Sequence, residues 1–368
     1  MLNEAARYRV QEFHSSSLEN NPLGSPVDRL ISVYLPPGYF ENTQRKYPVI
    51  YYLHGYDGNH SKLTILPTND DLKKLAGFLT PELAAQIKLD RVACYSMLDD
   101  MISRCELKPF VLVQPDGSLL MPKINNAKDI MTGLPATKGS FYVNTAATGK
   151  YEDYIIKDVI RFVESNYRVI PDVSRRAVAG TSMGGYGALS IYFRHPDMFA
   201  AVAVASPANF TVDSLTTKYV QPMMIRLLGR ETAEQMGSAG MNDILDTLDL
   251  VYSKERPLLP TVKRDEQGGI TCYDSRAAAN WARYDLNKVI DEAAAKLHNA
   301  NIMFDCDKDD EFALAQPCVT LHKTLIRHGI KHIFELYSDA DAALSPHTLG
   351  TGYHIITHLK YCSEVINK

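Results

Sequence analysis

The sequence predicts an α/β fold with a mostly parallel central sheet and helices on both faces, and two observations support this. Continuous apolar runs, typical of buried parallel strands, recur along the chain and are separated by segments with helical periodicity. One of these runs, residues 177–179, enters a glycine-rich turn that continues into a helical pattern over residues 186–193. Strands that alternate with helices in this way are typical of an open sheet covered on both sides.

The elements follow in order along one expected domain, residues 1–368. Strands are predicted at residues 29–35, 48–53, 110–113, 177–179, 198–205, 301–304 and 333–336. Helices are predicted at residues 151–167, 186–193, 318–328 and 352–365. Residues 60–107 show helical periodicity and are interpreted as a helical insertion. Residues 211–280 interrupt the alternation of strands and helices. They are interpreted as a cap or lid over the mouth of an active site, with a peripheral elaboration as the alternative.

Composition narrows the class of protein. Hydrophobic residues make up 45% and charged residues 22% of the 368, which is ordinary for a globular protein. The net charge of −4 and the lack of a long basic run argue against a nucleic-acid partner. No stretch is long and apolar enough to span a bilayer. Residues 1–7 lack the apolar core of a signal peptide, so a cytoplasmic protein is expected, with a secreted protein without its leader as the alternative.

The six cysteines are scattered and form no C-x-x-C pair. This pattern argues against a zinc site and against a dense disulfide framework. We therefore expect no bound metal.

Residues 180–184, Gly-Thr-Ser-Met-Gly, fit the motif G-x-S-x-G with a strand before it and a helix after it. This is the context of a nucleophile elbow, in which a sharp turn pushes the serine hydroxyl clear of the sheet. The flanking glycines are needed because larger side chains would clash with the neighbouring strand and helix. Ser182 is thus the predicted nucleophile, and the chain has the pattern of an α/β-hydrolase fold.

A serine hydroxyl needs a histidine as general base and a carboxylate to orient that histidine. In this fold the acid follows the nucleophile along the chain and the histidine comes last. The acid candidates are Asp307, Asp309 and Asp310. Asp310 is preferred because it lies farthest beyond the strand end and precedes Phe312, which can anchor the loop.

His347 is the predicted base because it lies in the loop between the last strand and the final helix. His354 and His358 stand four residues apart on that helix and resemble a metal-binding pair, but no glutamate or third ligand accompanies them in the sequence. We interpret both as packed or surface histidines.

Three other histidines are not expected to act as the base. His54 precedes a glycine turn and is expected to support it by hydrogen bonding, whereas His195 is expected to end a helix at the surface. His60 is assigned no role.

The strand at residues 48–53 ends in a His-Gly turn, residues 54–59. In hydrolases of this kind such a turn carries the second donor of an oxyanion hole. Residues 54–59 are therefore expected to supply one donor, and backbone N–H groups at the N-terminus of the helix after Ser182 another. Gly55 and Tyr142, which belongs to an aromatic-rich loop, are the expected substrate contacts.

These motifs resemble the esterase D family of α/β-hydrolases, which includes S-formylglutathione hydrolases, feruloyl and other carbohydrate esterases, and mycolyltransferases. The matching segments are residues 52–55, 140–144, 180–189, 281–285 and 305–312. The resemblance extends from about residue 27 to the C-terminus and implies the triad Ser182, Asp310 and His347. It also implies that the backbone N–H of Met183 and one near Tyr56 are the oxyanion donors. Asp307 stands where the family pattern has glycine, and the stretch from Ser182 to Trp281 is longer than in the S-formylglutathione hydrolases. The longer stretch makes a simple formylthioester hydrolase a weaker expectation.

The expected function is a serine carboxylic-ester hydrolase acting through an acyl-enzyme on a small acyl or aryl ester of feruloyl or acetyl type. No cofactor is needed for this chemistry. An acyltransferase with the same triad and an S-formylglutathione hydrolase are the alternatives, and a non-catalytic binding module that has kept the fold is the third class. The expected partner is a small-molecule ester, without nucleic acid or membrane, and the chain is a possible homo-oligomer.

Overall fold

The computed structural model describes residues 7–56, 58–61, 63, 94–120, 138–211, 231, 244, 246–252, 262–264, 270–273, 275–338, 347 and 351–368. Within these residues the main sheet has eight strands. They are β1 (Tyr8–His14), β2 (Asp28–Tyr34), β3 (Val49–Leu53), β4 (Val111–Pro115), β9 (Arg176–Thr181), β10 (Ala201–Ala205), β13 (Ile302–Asp307) and β14 (Ile333–Tyr337). Short hairpins pair β5 (Ser118–Leu119) with β6 (Lys138–Gly139), β7 (Asn144–Thr145) with β8 (Gly149–Lys150), and β11 (Val262–Arg264) with β12 (Ile270–Tyr273).

The order across the main sheet is β1-β2-β4-β3-β9-β10-β13-β14. Strand β2 is antiparallel to both of its neighbours. The other six strands in this order, β4, β3, β9, β10, β13 and β14, are mutually parallel. Their carboxyl ends therefore meet at one edge. At that edge Leu53 is in register with Gly180, and Asp307 with Tyr337. Loops that follow β3, β9, β13 and β14 consequently leave the sheet side by side.

The described helices connect and cover these strands. They include α1 (Cys94–Ser103), α2 (Tyr151–Asp153), α3 (Ile160–Asn166), α4 (Met183–Arg194), α5 (Ser275–Ala282), α6 (Leu286–Ala293), α7 (Ala315–Arg327) and α8 (Thr351–Ile366). A π-helical turn, Tyr154–Val159, joins α2 to α3, so this region is one continuous helical segment as predicted.

Two hydrophobic cores lie on opposite faces of the sheet because successive side chains of a strand point to opposite sides. One face buries large residues of β3, β9 and β10 against α3, α4, α6 and α7. The other face packs against α1 and α8. On that second face β9 and β10 present alanines, namely Ala177, Ala179, Ala201 and Ala203. These small side chains let α8 lie close to the centre of the sheet.

The predicted fold class is confirmed, with shifts at element ends. Strand β10 begins at Ala201 rather than residue 198, and α7 begins at Ala315 rather than residue 318. The elements that were not predicted include the edge strand β1, the short strands β5–β8, β11 and β12, and the helices α5 and α6. Residues 64–93 of the predicted helical insertion at residues 60–107 lie outside the described residues. Within the predicted 60–107 insertion the structure describes α1.

Candidate active site

Ser182 sits between β9 and α4 in a strained backbone conformation, with φ 58° and ψ −121°. Such a conformation costs on the order of 1–3 kcal/mol and persists only where neighbours hold it. Here the N–H of Ser182 donates to the carbonyl of Ala205 at 2.9 Å, and its carbonyl accepts from Ala208 at 3.0 Å. The turn is therefore held by the adjacent strand β10 and the residues that follow it.

The two glycines of the motif are required by close backbone contacts. A Cβ added at Gly184 would lie 1.9 Å from the carbonyl oxygen of Leu53, and one at Gly180 would lie 2.4 Å from the carbonyl oxygen of Gly184. Real Cβ atoms do not approach this closely, so β3, the turn and α4 pack together without side chains at these points. This packing places the end of β3 against the elbow.

The turn after β3 borders the serine directly. A Cβ added at Gly55 would lie 3.6 Å from the Cβ of Ser182. Met183 is the first residue of α4, so its N–H lies at the helix N-terminus, where backbone N–H groups are not used within the helix. The side chains of Met183 and Tyr56 both converge on Gly139, because a Cβ there would lie 2.3 Å from Met183 Sδ and 2.6 Å from Tyr56 Cδ2. The structure thus brings together the two predicted oxyanion residues.

The segment after β6 supports this turn. Phe141 and Tyr142 both have φ 53°, an uncommon conformation for bulky residues. Tyr142, expected among the substrate contacts, is fully buried, and its hydroxyl donates to the carbonyl of His54 at 3.1 Å. Its ring also fills the space beside Gly117 and Gly187. This position favours a supporting role for Tyr142 over direct contact with a substrate.

His54 fixes the same turn by hydrogen bonding, as expected. Its Nδ1 lies 2.7 Å from the carbonyl oxygen of Gly55, and its Nε2 accepts the N–H of Gly117 at 2.9 Å. Because Nε2 accepts, Nδ1 is the ring nitrogen that donates to Gly55. Asp116 lies 3.7 Å from Nε2 and pairs with the buried Arg29 at 3.1 Å. Burial alone would raise the pKa of Asp116, but the Arg29 guanidinium holds it below its ordinary value.

The structure brings His347 to Asp310 rather than to the other two acids. Nδ1 of His347 lies 2.7 Å from Oδ2 of Asp310, and both residues are buried. Asp309 is exposed, and the carboxylate of Asp307 accepts the N–H of Asp309 at 2.8 Å. With Nδ1 bound to Asp310, Nε2 is the ring nitrogen that can accept a proton.

Asp310 is itself held by its own loop. Its Oδ1 accepts the N–H of Phe312 at 2.9 Å and that of Leu314 at 3.4 Å. The thiol of Cys306 lies 3.8 Å from Oδ2. The adjacent Cys318 thiol and burial both raise the pKa of Cys306, so it stays a neutral thiol. The carboxylate is thus oriented before any substrate arrives.

Three consecutive residues contact His347. Besides Asp310, a carboxylate oxygen of Glu311 accepts the backbone N–H of His347 at 2.6 Å. The ring of Phe312 meets the imidazole edge-to-face, with centroids 4.6 Å apart. The sequence predicts Phe312 as an anchor of this loop. It gives no sign of a role for Glu311 other than its place inside the acidic cluster.

The other histidines singled out in the sequence have structural partners. His354 and His358 lie 2.8 Å and 3.0 Å from Oδ2 of the buried Asp305. Burial raises the pKa of Asp305, but His358 and His354 together lower it below its ordinary value. His195, just past the end of α4, lies 2.9 Å from Glu152. This arrangement agrees with the interpretation of His354 and His358 as packed histidines.

His60 lies 2.7 Å from the hydroxyl of Ser32, and burial lowers its pKa. In the part of the chain that the structure describes, no group of three or more His, Cys, Asp or Glu residues has a metal-binding arrangement. Among the same residues, no helix has both the length and the apolar character to cross a membrane.

One described segment of the predicted 211–280 insertion lies beside the candidate site. Helical residues 246–252 bury Leu248, Val251 and Tyr252 in the core. Thr247 lies 2.6 Å from the hydroxyl of Tyr56, oxygen to oxygen. This part of the insertion therefore touches the turn that carries a predicted oxyanion donor.

An eight-stranded, mostly parallel sheet with a serine on a strand–turn–helix elbow defines the α/β-hydrolase fold. Solved structures agree. A ferulic acid esterase aligns with a TM-score of 0.58 and 18% identity over 98% of each chain. An S-formylglutathione hydrolase from Agrobacterium tumefaciens aligns with a TM-score of 0.56 and 17% identity, covering 98% of this chain and 95% of the other. Likeness at this level of identity establishes the fold.

Residues 119–327, more than half of the chain, match the esterase family described as "Putative esterase". The chain belongs to this family. It is 23% identical over 231 residues to an endo-1,4-beta-xylanase/feruloyl esterase of Xylanibacter ruminicola, covering 62% of this chain and 26% of that protein. It is 33% identical over 72 residues to an S-formylglutathione hydrolase of Arabidopsis thaliana, covering 18% of this chain and 25% of that protein. The matched regions span about a quarter of each of these two relatives.

Proposed function

We propose that this chain is a serine carboxylic-ester hydrolase with Ser182 as nucleophile, His347 as general base and Asp310 as the acid that orients it. One observation carries the proposal: the strained elbow of Ser182 and the buried His347–Asp310 pair stand on loops that leave the same edge of one sheet. Membership of an esterase family supports it.

The reaction has two halves. Ser182 Oγ attacks the ester carbonyl while Nε2 of His347 takes the hydroxyl proton, and Asp310 stabilises the resulting imidazolium. The backbone N–H groups of Met183 and Tyr56 donate to the oxyanion that forms. Collapse breaks the ester C–O bond, and the alcohol leaves with the proton from His347. Water then attacks the acyl-enzyme, again losing its proton to His347, and the acid is released with Ser182 regenerated.

The substrate class that fits is a small acyl or aryl ester of feruloyl or acetyl type. Relatives named as feruloyl or ferulic acid esterases support an aryl ester. Gly55 is retained as the proposed substrate-side residue, because it borders the proposed nucleophile: a Cβ added there would lie 3.6 Å from the Cβ of Ser182.

There are two alternatives to ester hydrolysis. The relatives named S-formylglutathione hydrolase favour a thioester substrate as one of them. Acyl transfer to an alcohol by the same triad is the other, because an alcohol can replace water in the second half of the reaction.

The test is a set of initial rates on p-nitrophenyl acetate, p-nitrophenyl butyrate, methyl ferulate, an acetylated sugar and S-formylglutathione, with Ser182→Ala in parallel. The proposal predicts turnover of at least one ester and loss of that turnover in the variant while the fold is retained. Added alcohol or sugar acceptors distinguish the transferase, which would form new ester in preference to free acid. Turnover that survives in Ser182→Ala would refute the proposal.

A further inference from the structure

Glu311 is a buried carboxyl group that the proposed reaction does not use. Its residue is only 5% exposed, and acidic side chains are rarely buried to this degree without a specific partner. One partner is the backbone N–H of His347, 2.6 Å from Oε2. The two residues are 36 positions apart. This bond therefore joins the loop after β13 that carries Asp310 and Glu311, here called the acid loop, to the loop that carries the proposed base.

The bond to Glu311 complements the one to Asp310. Asp310 binds the ring of His347 at Nδ1, and Glu311 binds its main chain. The ring bond alone fixes the tautomer but lets the imidazole pivot about the line from Nδ1 to Oδ2. A second bond to the backbone of the same residue, made by the next residue of the acid loop, restricts that pivot. The edge-to-face contact of Phe312 limits the ring further.

Hydrogen bonds within the acid loop hold it in one conformation, so it can fix the position of His347. Asp310 Oδ1 accepts the N–H of Phe312 at 2.9 Å, and the carbonyl of Asp310 accepts the N–H of Ala313 at 2.9 Å. Ala313 is held at φ 56°, an uncommon conformation for alanine that surrounding structure must maintain. Both carboxyl groups that contact His347 thus project from one tightly hydrogen-bonded turn after β13.

We propose that Glu311 is a positioning residue that fixes the main chain of His347 and thereby the distance from its Nε2 to Ser182. This inference rests on the proposed function. A displacement of about 1 Å in a reacting group can cost on the order of 100-fold in rate. Loss of Glu311 should lower kcat and leave KM nearly unchanged, because Glu311 acts through the proposed base and not on the bound ester.

The test compares Glu311→Ala with Glu311→Gln. The alanine variant loses the acceptor, and we expect kcat to fall about 10- to 100-fold with KM within about twofold. The reaction of Ser182 with a fluorophosphonate probe should slow in parallel. The glutamine variant keeps an amide oxygen that can accept the N–H of His347. It should restore kcat to within about threefold of the wild type.

Asp158→Ala is the matched control. Asp158 is also a buried carboxylate that accepts a backbone N–H, that of Ser17 at 2.8 Å, but it joins α2–α3 to the segment after β1. Its loss should lower the melting temperature and leave kcat per titrated active site unchanged. All rates are divided by the number of sites that the probe titrates, so that loss of folded protein is not counted as loss of rate.

Several results would overturn the inference. One is a Glu311→Ala variant whose kcat stays within twofold of the wild type. Another is a glutamine variant that falls as far as the alanine variant, since the charge rather than the hydrogen bond would then matter. A third is an equal fall in kcat in Asp158→Ala. If Glu311→Ala does not accumulate, Glu311→Asp, one methylene shorter, takes its place, and an unchanged kcat in that variant contradicts the positioning role.

The failure of this inference is distinguishable from failure of the proposed function. Wild-type protein that neither hydrolyses an ester nor reacts with the probe contradicts the proposed function. Active wild-type protein with an equally active Glu311→Ala variant contradicts only the role of Glu311.

Discussion

Replacing Asp310 with asparagine tests the proposed acid with a change of one atom. Oδ1 of Asp310 accepts two backbone N–H groups, from Phe312 at 2.9 Å and Leu314 at 3.4 Å, while Oδ2 faces Nδ1 of His347 at 2.7 Å. The asparagine oxygen should stay with the two N–H groups, because the reverse orientation would set an NH2 group against them. An unsatisfied buried donor costs about 1–3 kcal/mol. The amide NH2 group then faces Nδ1.

That orientation reverses the tautomer of His347. Nδ1 becomes an acceptor, the proton moves to Nε2, and the ring can no longer take a proton from Ser182. The loss of a correctly oriented base should lower kcat by about 10³- to 10⁴-fold. This corresponds to about 4 to 5 kcal/mol in the activation barrier. KM should change little, because the Asp310 side chain is fully buried behind His347 and is not accessible to the ester.

The assay is steady-state hydrolysis of a p-nitrophenyl ester, together with the rate of fluorophosphonate reaction and a thermal melt. Asp309→Asn is the control, since Asp309 is exposed in the same acidic cluster. Its kcat should stay within about twofold of the wild type, as expected for a surface substitution. An Asp310→Asn variant that keeps more than a tenth of the wild-type kcat would refute the assignment, as would an equal loss in Asp309→Asn.

Three further predictions concern the surroundings of the site. Gly184→Ala places a Cβ 1.9 Å from the last carbonyl oxygen of β3, so it should destabilise the protein by about 3 kcal/mol or more in a denaturant titration; an unchanged midpoint would contradict the packing described. Thr247→Val removes one hydrogen-bond partner of the Tyr56 hydroxyl and should lower kcat roughly 3- to 10-fold at constant KM. A change in melting temperature without a change in kcat would show that this contact is purely structural. The pKa of Asp116 is lowered on folding because Arg29 outweighs the effect of burial, so its stabilisation is complete above the ordinary pKa of 3.8 and is lost as the pH falls further. The difference in melting temperature between wild type and Asp116→Asn should therefore be constant from about pH 7 to 5 and shrink below about pH 4; a difference that grows on acidification would contradict this sign.

Local patterns were sufficient to predict the main sheet apart from its edge strand β1, and to predict the strand–turn–helix elbow at Ser182. A G-x-S-x-G turn between strand and helix needs its glycines for close packing, and the contacts at Gly180 and Gly184 show the same need. Asp310 was preferred over its neighbours from its distance beyond the strand, and the structure pairs it with His347. Both inferences depended on residues close together in the sequence.

Features that depend on distant residues could not be predicted in this way. Asp305 lies 49 positions before His354, so nothing near the two helical histidines indicated their carboxylate partner. Glu311 meets His347 across 36 positions for the same reason. Tyr142 adopts a left-handed conformation that local propensity disfavours, and its burial follows from contacts with the His54 turn. The tertiary structure decides these positions.

The measurement that tests the central claim most directly is the site of reaction with a fluorophosphonate probe, read by mass spectrometry of the intact protein and of its peptides. The account predicts one adduct per chain, located on Ser182, and none in Ser182→Ala. Strongly slowed labelling in Asp310→Asn would link that reactivity to the His347–Asp310 pair. An adduct elsewhere, or ester hydrolysis that persists in Ser182→Ala, would contradict the claim that this elbow carries the nucleophile.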